Sequence, residues 1–139
     1  MEQVKVKLDA GAFLPERAHP TDAGADIRTP VNVTLPPWGS ATVDTGVHVE
    51  LPHGTVCMIK SKSGLNTNHD IISEGVVDEG FSGGIRVRLH NLSDKPYGFM
   101  RGDKITQLVV MPVLYPEMVE VDEVCGGERG ANGYGSTGR

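Results

Sequence analysis

The chain has 139 residues, among them 18 Gly and 9 Pro, with 38% hydrophobic and 5% aromatic residues and a formal charge of −5. Each Gly in a helix interior costs about 1 kcal/mol relative to Ala and each Pro about 3, so this composition excludes a helical bundle or coiled coil. The negative charge speaks against general binding of nucleic acid or anionic membrane, and no apolar run approaches the roughly 18 residues of a membrane span.

In chain order, apolar and polar residues alternate with a period of two at Val4 to Leu8, Val31 to Leu35 and Val43 to Leu51. Such alternation predicts half-buried strands. Further strands are expected over residues 55–60, 85–89, 105–111 and 118–121, and a single short helix over 63–69. Turn signals separate them at Pro36-Pro37, Pro52-His53-Gly54, Ser82-Gly83-Gly84 and Arg101-Gly102-Asp103. Strands at this spacing without long helices predict an all-β fold, an antiparallel sandwich, jelly roll or barrel. The start of the chain does not read as a signal peptide, and Cys57 and Cys125 make a poor disulfide framework, so a cytoplasmic protein with reduced thiols is expected.

Residues 126–139 differ in kind, holding six Gly and one large ring, Tyr134. Alone they bury too little surface to offset their ordering entropy, which divides the chain into a β domain over 1–125 and a flexible arm over 126–139. The arm reads either as a frayed tail or as a ligand-closing strap. For the second reading, Arg129, Tyr134, Ser136 and Thr137 supply a cation, a stacking ring and two hydroxyls among glycines.

Four other clusters carry polar chemistry. Lys60-Ser61-Lys62-Ser63-Gly64-Leu65 sets two cations and two hydroxyls beside a Gly where a strand passes into a helix, a pattern that suits phosphate oxygens but is also an ordinary polar strand end. Gly75-Val76-Val77-Asp78-Glu79-Gly80-Phe81-Ser82-Gly83 places a carboxylate and a ring in a Gly-rich hairpin, where Asp78 is either a catalytic group or a turn residue. Ala23-Gly24-Ala25-Asp26-Ile27 reads as a turn with a second carboxylate. In the strand after Arg101-Gly102-Asp103, Gln107 is the odd polar residue; it needs partners if buried and could equally face solvent. The five histidines lack zinc-ligand spacing, neither cysteine sits in a CxxC, no P-loop is present, no GxGxxG opens a helix after a strand, and no GxSxG elbow supports a catalytic triad.

Taken in order, AGADI at 23–27, SKSGL at 61–65, GVVDEGFSG at 75–83 with Asn91 after it, RGDKITQLV at 101–109 and RGANGYGSTG at 129–138 resemble the motifs of the all-β dUTPase family. The resemblance implies a distorted β jelly roll, dUTP as substrate, Mg²⁺ as cofactor, and a homotrimer whose sites draw motifs from different chains. It implies that Asp78 deprotonates the attacking water and that Lys62, Ser63, Gly64 and Gln107 meet the phosphates. Asp26 would contact waters on an Mg²⁺ held mainly by the triphosphate. Gly75, Val76 and Val77 would read the base edge with Arg86 nearby, and Phe81 would leave no room for a ribose 2′-hydroxyl. On the arm, Arg129, Ser136 and Thr137 would contact the γ-phosphate, Tyr134 would stack on the uracil, and Gly135 would be among the substrate-binding residues. The chain departs from the family pattern in carrying Phe81 for Tyr, Lys62 for Arg, Asn66 for Ala and Tyr134 for Phe. Two alternatives share the scaffold, a dCTP deaminase and a dUTP-binding regulatory protein.

Overall fold

The structure is a computed structural model and describes residues 2–135, 137 and 138. The chain runs β1 (Lys5–Leu8), β2 (Gly24–Arg28), β3 (Val33–Leu35), β4 (Ser40–Asp44), β5 (Val47–Glu50), β6 (Thr55–Lys60), α1 (Ser63–His69), β7 (Ile71–Ile72), β8 (Glu74–Val77), β9 (Arg86–Asn91), β10 (Tyr97–Phe99) and β11 (Lys104–Pro112). All strand pairs are antiparallel. They form a four-stranded sheet ordered β2-β11-β6-β8, a three-stranded sheet ordered β4-β9-β7, and the pairs β1-β5 and β3-β10. This is the mostly β, single-helix architecture that the composition predicts.

Alternation decides which faces turn inward. In β9, Val87, Leu89 and Asn91 are buried while Arg86 and Arg88 face out, and in β6 Thr55, Cys57 and Ile59 are buried. With Ile27, Leu35, Val43, Val47, Ile85 and Ile105, all at most 2% exposed, Ile59, Val87 and Leu89 make a core of branched aliphatic side chains. Such side chains fit the pleated surfaces of sheets. Asn91 is one of the polar residues buried with this core, alongside Thr29, Thr45 and Thr106 among others. Its Nδ2 donates to Lys95 O at 2.7 Å and Pro36 O at 3.2 Å, while Oδ1 accepts from Ser93 N at 3.0 Å. The side chain therefore satisfies a turn that strand ladders cannot reach.

The expected elements at 4–8, 55–60, 63–69, 85–89 and 105–111 are present within a residue or two or slightly longer. The long strand expected over 43–51 divides into β4 and β5 at Thr45-Gly46, where Gly46 has φ +68°. Ala23 to Ile27, read as a turn, lies almost wholly in strand β2. The strand expected over 118–121 is absent: residues 113–121 carry no element, and Leu114, Met118 and Val119 are 86%, 88% and 67% exposed. Alternation alone cannot make a strand without a partner to pair with. Among the described residues, no helix is long and apolar enough to cross a membrane.

Candidate functional site

Two groups of the expected residues assemble, at separate places. The first surrounds a cleft of about 340 Å³ lined by Gly75, Val76, Val77, Asp78, Phe81 and Arg86 together with Ile59, Glu74, Gly84, Ile85 and Arg88. The hairpin between β8 and β9 builds it. Val77 and Ile85 are buried and anchor the hairpin's two legs, which leaves Asp78 and Phe81 exposed at the rim. Phe81 N donates to Asp78 O at 3.2 Å, closing the turn. The Phe81 ring lies over Gly83, where an added Cβ would stand 2.6 Å from Cζ. Gly83 thus makes room for the ring. Arg88 is held to β4, donating to Thr42 Oγ1 at 2.9 Å and Ser40 Oγ at 2.7 Å. Among the described residues, the Asp78 carboxylate and the Arg86 guanidinium have no hydrogen-bond partner, which leaves both available to a ligand.

The second group lies at one end of the four-stranded sheet. Asp26, Gln107, Lys60 and Glu74 form a row across β2, β11, β6 and β8, each paired to the next. Just beyond Lys60 the chain passes through Ser61 and Lys62 into α1, which begins at Ser63 and Gly64. Asp26 is 6% exposed and carries two cations: Lys62 Nζ donates to Oδ1, and Lys104 Nζ lies 2.8 Å from Oδ2. Burial alone would raise this carboxyl, but the hydrogen bonds and charges of Lys104 and Lys62 outweigh it and hold the carboxyl below its ordinary value. Gln107 is half-buried, neither free in solvent nor sealed in the core, and its Nε2 donates to Ser61 O at 2.9 Å. Its side chain folds across Gly24, where an added Cβ would stand 1.9 Å from Oε1. The strand end itself is fastened by Thr106 Oγ1, which donates to Lys60 O at 2.9 Å and meets Ser73 Oγ at 2.7 Å. Ser61 Oγ in turn donates to Ser73 O at 3.1 Å and accepts from Ser73 N at 2.9 Å.

The groups adjoin at Glu74, which edges the cleft and accepts from Lys60 Nζ at 2.7 Å, but within one chain Asp78 and Gln107 do not meet. Val77 pairs with Cys57 and Gln107 with Lys60, on opposite sides of β6. Asp78, one residue past Val77, is therefore about four residues along and two strands across from Gln107, or roughly 16 Å at standard strand spacings. The arm meets neither group: Arg129, Tyr134, Gly135 and Thr137 are exposed and line neither, and Ser136 lies outside the described residues. A larger cavity of about 440 Å³ sits against β1, β5 and β11, lined by Val4, Val6, Leu51 and Val110 among others, and contains none of the expected site residues.

The donor set bears on Mg²⁺. Among the described residues no three His, Cys, Asp or Glu side chains gather to chelate an ion. Asp26 already meets two ammonium groups, yet each carboxylate oxygen keeps a further lone pair for a water O–H. The residues fit a hydrated Mg²⁺ carried by a polyphosphate, an ion that retains much of its water.

Sequence reasoning gave no role to Lys104, Ser73 or Thr106, whose roles come from partners distant in the chain. It also passed over Glu79. That carboxylate accepts from Tyr115 OH at 2.6 Å, Gly54 N at 2.7 Å and His53 Nδ1 at 2.9 Å. The Tyr115 hydroxyl first, then His53 and the Gly54 N–H, hold Glu79 down at about 2.

The dUTPase family profile matches residues 11–138. The deoxyuridine 5′-triphosphate nucleotidohydrolase of Thermobifida fusca is 44% identical over 136 residues, covering 95% of this chain and 76% of that one. That of Gloeothece citriformis is 40% identical, covering 95% and 93%. Among solved structures, the Staphylococcus bacteriophage 80alpha dUTPase with dUPNHPP superposes with a TM-score of 0.92 at 30% identity over 100% of both chains. The dUTPase of S. aureus phage phi11, in a mutant that reveals coordination of a structural Mg(II) ion, has a TM-score of 0.80 at 29% identity over 88% of this chain and 98% of that one. With the matching profile spanning both groups of site residues and the arm, the chain belongs to the dUTPase family, the deoxyuridine 5′-triphosphate nucleotidohydrolases.

Proposed function

We propose that this chain hydrolyses dUTP to dUMP and pyrophosphate, with Asp78 orienting and deprotonating the water that attacks the α-phosphorus. The observation that carries this reading is the cleft in which an unpartnered Asp78 carboxylate stands beside Phe81 and the backbone of Gly75 to Val77. A general base must lie within hydrogen-bond reach of its water, and a carboxylate at the rim of a nucleoside-sized cleft satisfies that requirement. Phe81 presses on the sugar and leaves no space for a 2′-hydroxyl, the strand backbone reads the base edge, and Arg86 adds a cation at the rim. Removing dUTP limits uracil incorporation into DNA and supplies dUMP for dTMP synthesis.

The phosphates fall to the second group, where Lys62, Ser63, Gly64 and Gln107 offer charge and donors. Bound Mg²⁺ would neutralise triphosphate charge, with Asp26 accepting hydrogen bonds from its waters. Because Asp78 and Gln107 of one chain stand roughly 16 Å apart by strand geometry, they cannot serve one α-phosphate, which favours sites assembled from different subunits. Exposed Leu114, Met118, Val119, Val121 and Val124 point the same way, since a second copy would cover them. We therefore read the assembly as a homotrimer. Its arm would close over a neighbouring site, bringing Arg129, Ser136 and Thr137 to the γ-phosphate and Tyr134 onto the uracil, with Gly135 among the substrate-binding residues. A cytoplasmic location accords with two free cysteines.

A pyrophosphate-release assay with dUTP, UTP, dTTP and dCTP, with and without Mg²⁺, tests the reading. Turnover is expected from dUTP far above the others, and Asp78→Asn should abolish it while nucleotide still binds. Equal turnover of UTP, ammonia release from dCTP, or full activity in Asp78→Asn would contradict it.

A further inference from the structure

Asp78 lies one residue beyond the last ladder pair of β8, Val77 with Cys57, so no strand partner fixes its backbone. Glu79 takes over that task. Its Oε1 accepts both Gly54 N at 2.7 Å and Tyr115 OH at 2.6 Å, and its Oε2 accepts from His53 Nδ1 at 2.9 Å. Gly54 O accepts from Val113 N at 2.9 Å, which closes a circuit through Glu79, the turn between β5 and β6, and the segment leaving β11. Charge-assisted hydrogen bonds of this kind are shorter and stronger than neutral ones. Asp78, Glu79, Val113 and Tyr115 also line a cleft of about 260 Å³, with Thr55 and Val56. Asp78 is shared between this cleft and the one holding Phe81, so the residue borders both the nucleoside space and the cleft that Glu79 and Tyr115 line.

We propose that Glu79 is a positioning residue for the reaction: with Tyr115 and His53 it locks the backbone that aims Asp78 at its water. This rests on the assignment of Asp78 as the base. Glu79 touches no substrate in this scheme; it acts by denying Asp78 small displacements, and a misplacement of about 1 Å in a reacting group can cost roughly 100-fold in rate. The same circuit holds Val113 and Tyr115, the first residues after β11.

The test uses full-length protein and steady-state pyrophosphate release from dUTP, with thermal unfolding measured alongside. Glu79→Ala is expected to lower kcat at least about tenfold with KM within about threefold, because binding groups stay and only alignment is lost. Glu79→Gln keeps the Oε1 acceptor for Gly54 and Tyr115 and should retain kcat within about threefold of wild type. Tyr115→Phe removes one surface hydroxyl and should lower kcat about threefold or more at unchanged KM; it carries the test if the alanine variant does not fold. A lower unfolding temperature with unchanged kcat in Glu79→Ala and Tyr115→Phe, or a loss confined to KM, overturns the positioning role alone. A wild-type protein that leaves dUTP intact overturns the role and the proposed reaction together.

Discussion

Asp26 shows how much a single buried carboxylate can organise. At 6% exposure it would be costly to ionise, yet Lys62 and Lys104 both bind it, from positions 36 and 78 residues further along the chain. Its folded carboxyl lies below the ordinary value of about 3.9, so its stabilising contribution is complete above that pH and is lost as pH falls through the lowered folded value. Asp26→Asn should cost about 2 kcal/mol at neutral pH, the worth of hydrogen bonds to charged groups. In urea titrations the gap between wild type and Asp26→Asn should narrow below about pH 4, and a gap independent of pH would contradict the ion-pair account. The same pairing sets Lys62 beside the proposed phosphate groups, so this substitution should also weaken nucleotide binding.

Among elements, β2 was the hardest to see in advance. Its inward residues include Gly24 and Asp26 rather than a run of large aliphatics, and both are explained only by β11 and the Lys62 loop. By contrast β6 and β9 were legible because each buries alternate residues within a single local stretch. Residues 118–121 alternate just as clearly and form no strand, because pairing needs a second strand that this chain does not provide. The site follows the same division. Asp78, Phe81 and Lys62 stood out in short motifs, whereas Glu79 takes its meaning from His53 and Tyr115, 26 and 36 residues away. Gly24 yields a test at this scale: an added Cβ would meet Gln107 Oε1 at 1.9 Å and Gln107 Cβ at 3.1 Å, so the flexible amide should swing away while the strands shift only slightly. Gly24→Ala should therefore lower turnover as Gln107→Ala does while shifting stability by no more than about 1 kcal/mol. Large unfolding with unchanged kcat in the remaining folded protein would place the clash in the backbone instead.

For the whole molecule, the glycine-rich composition that first excluded helical folds resolves into two uses. Within the body, Gly24 and Gly83 leave space for Gln107 and Phe81. In residues 126–138 the described chain makes only turns, and Tyr134 is fully exposed. Deleting residues 126–139 should leave a folded, nucleotide-binding protein whose turnover falls by an order of magnitude or more, read by pyrophosphate release and equilibrium binding; an unchanged rate would mark these residues as a passive tail.

On the proposed function, one catalytic centre needs Asp78 from one subunit and Gln107 from another. The most direct test is complementation: Asp78→Asn and Gln107→Ala chains are purified, shown separately to lack dUTP turnover, then unfolded and refolded together in equal amounts. Random assembly of shared sites should restore up to about a quarter of wild-type pyrophosphate release, because that fraction of centres draws both intact residues. A mixture no more active than its two parents would show that each chain carries its own complete site.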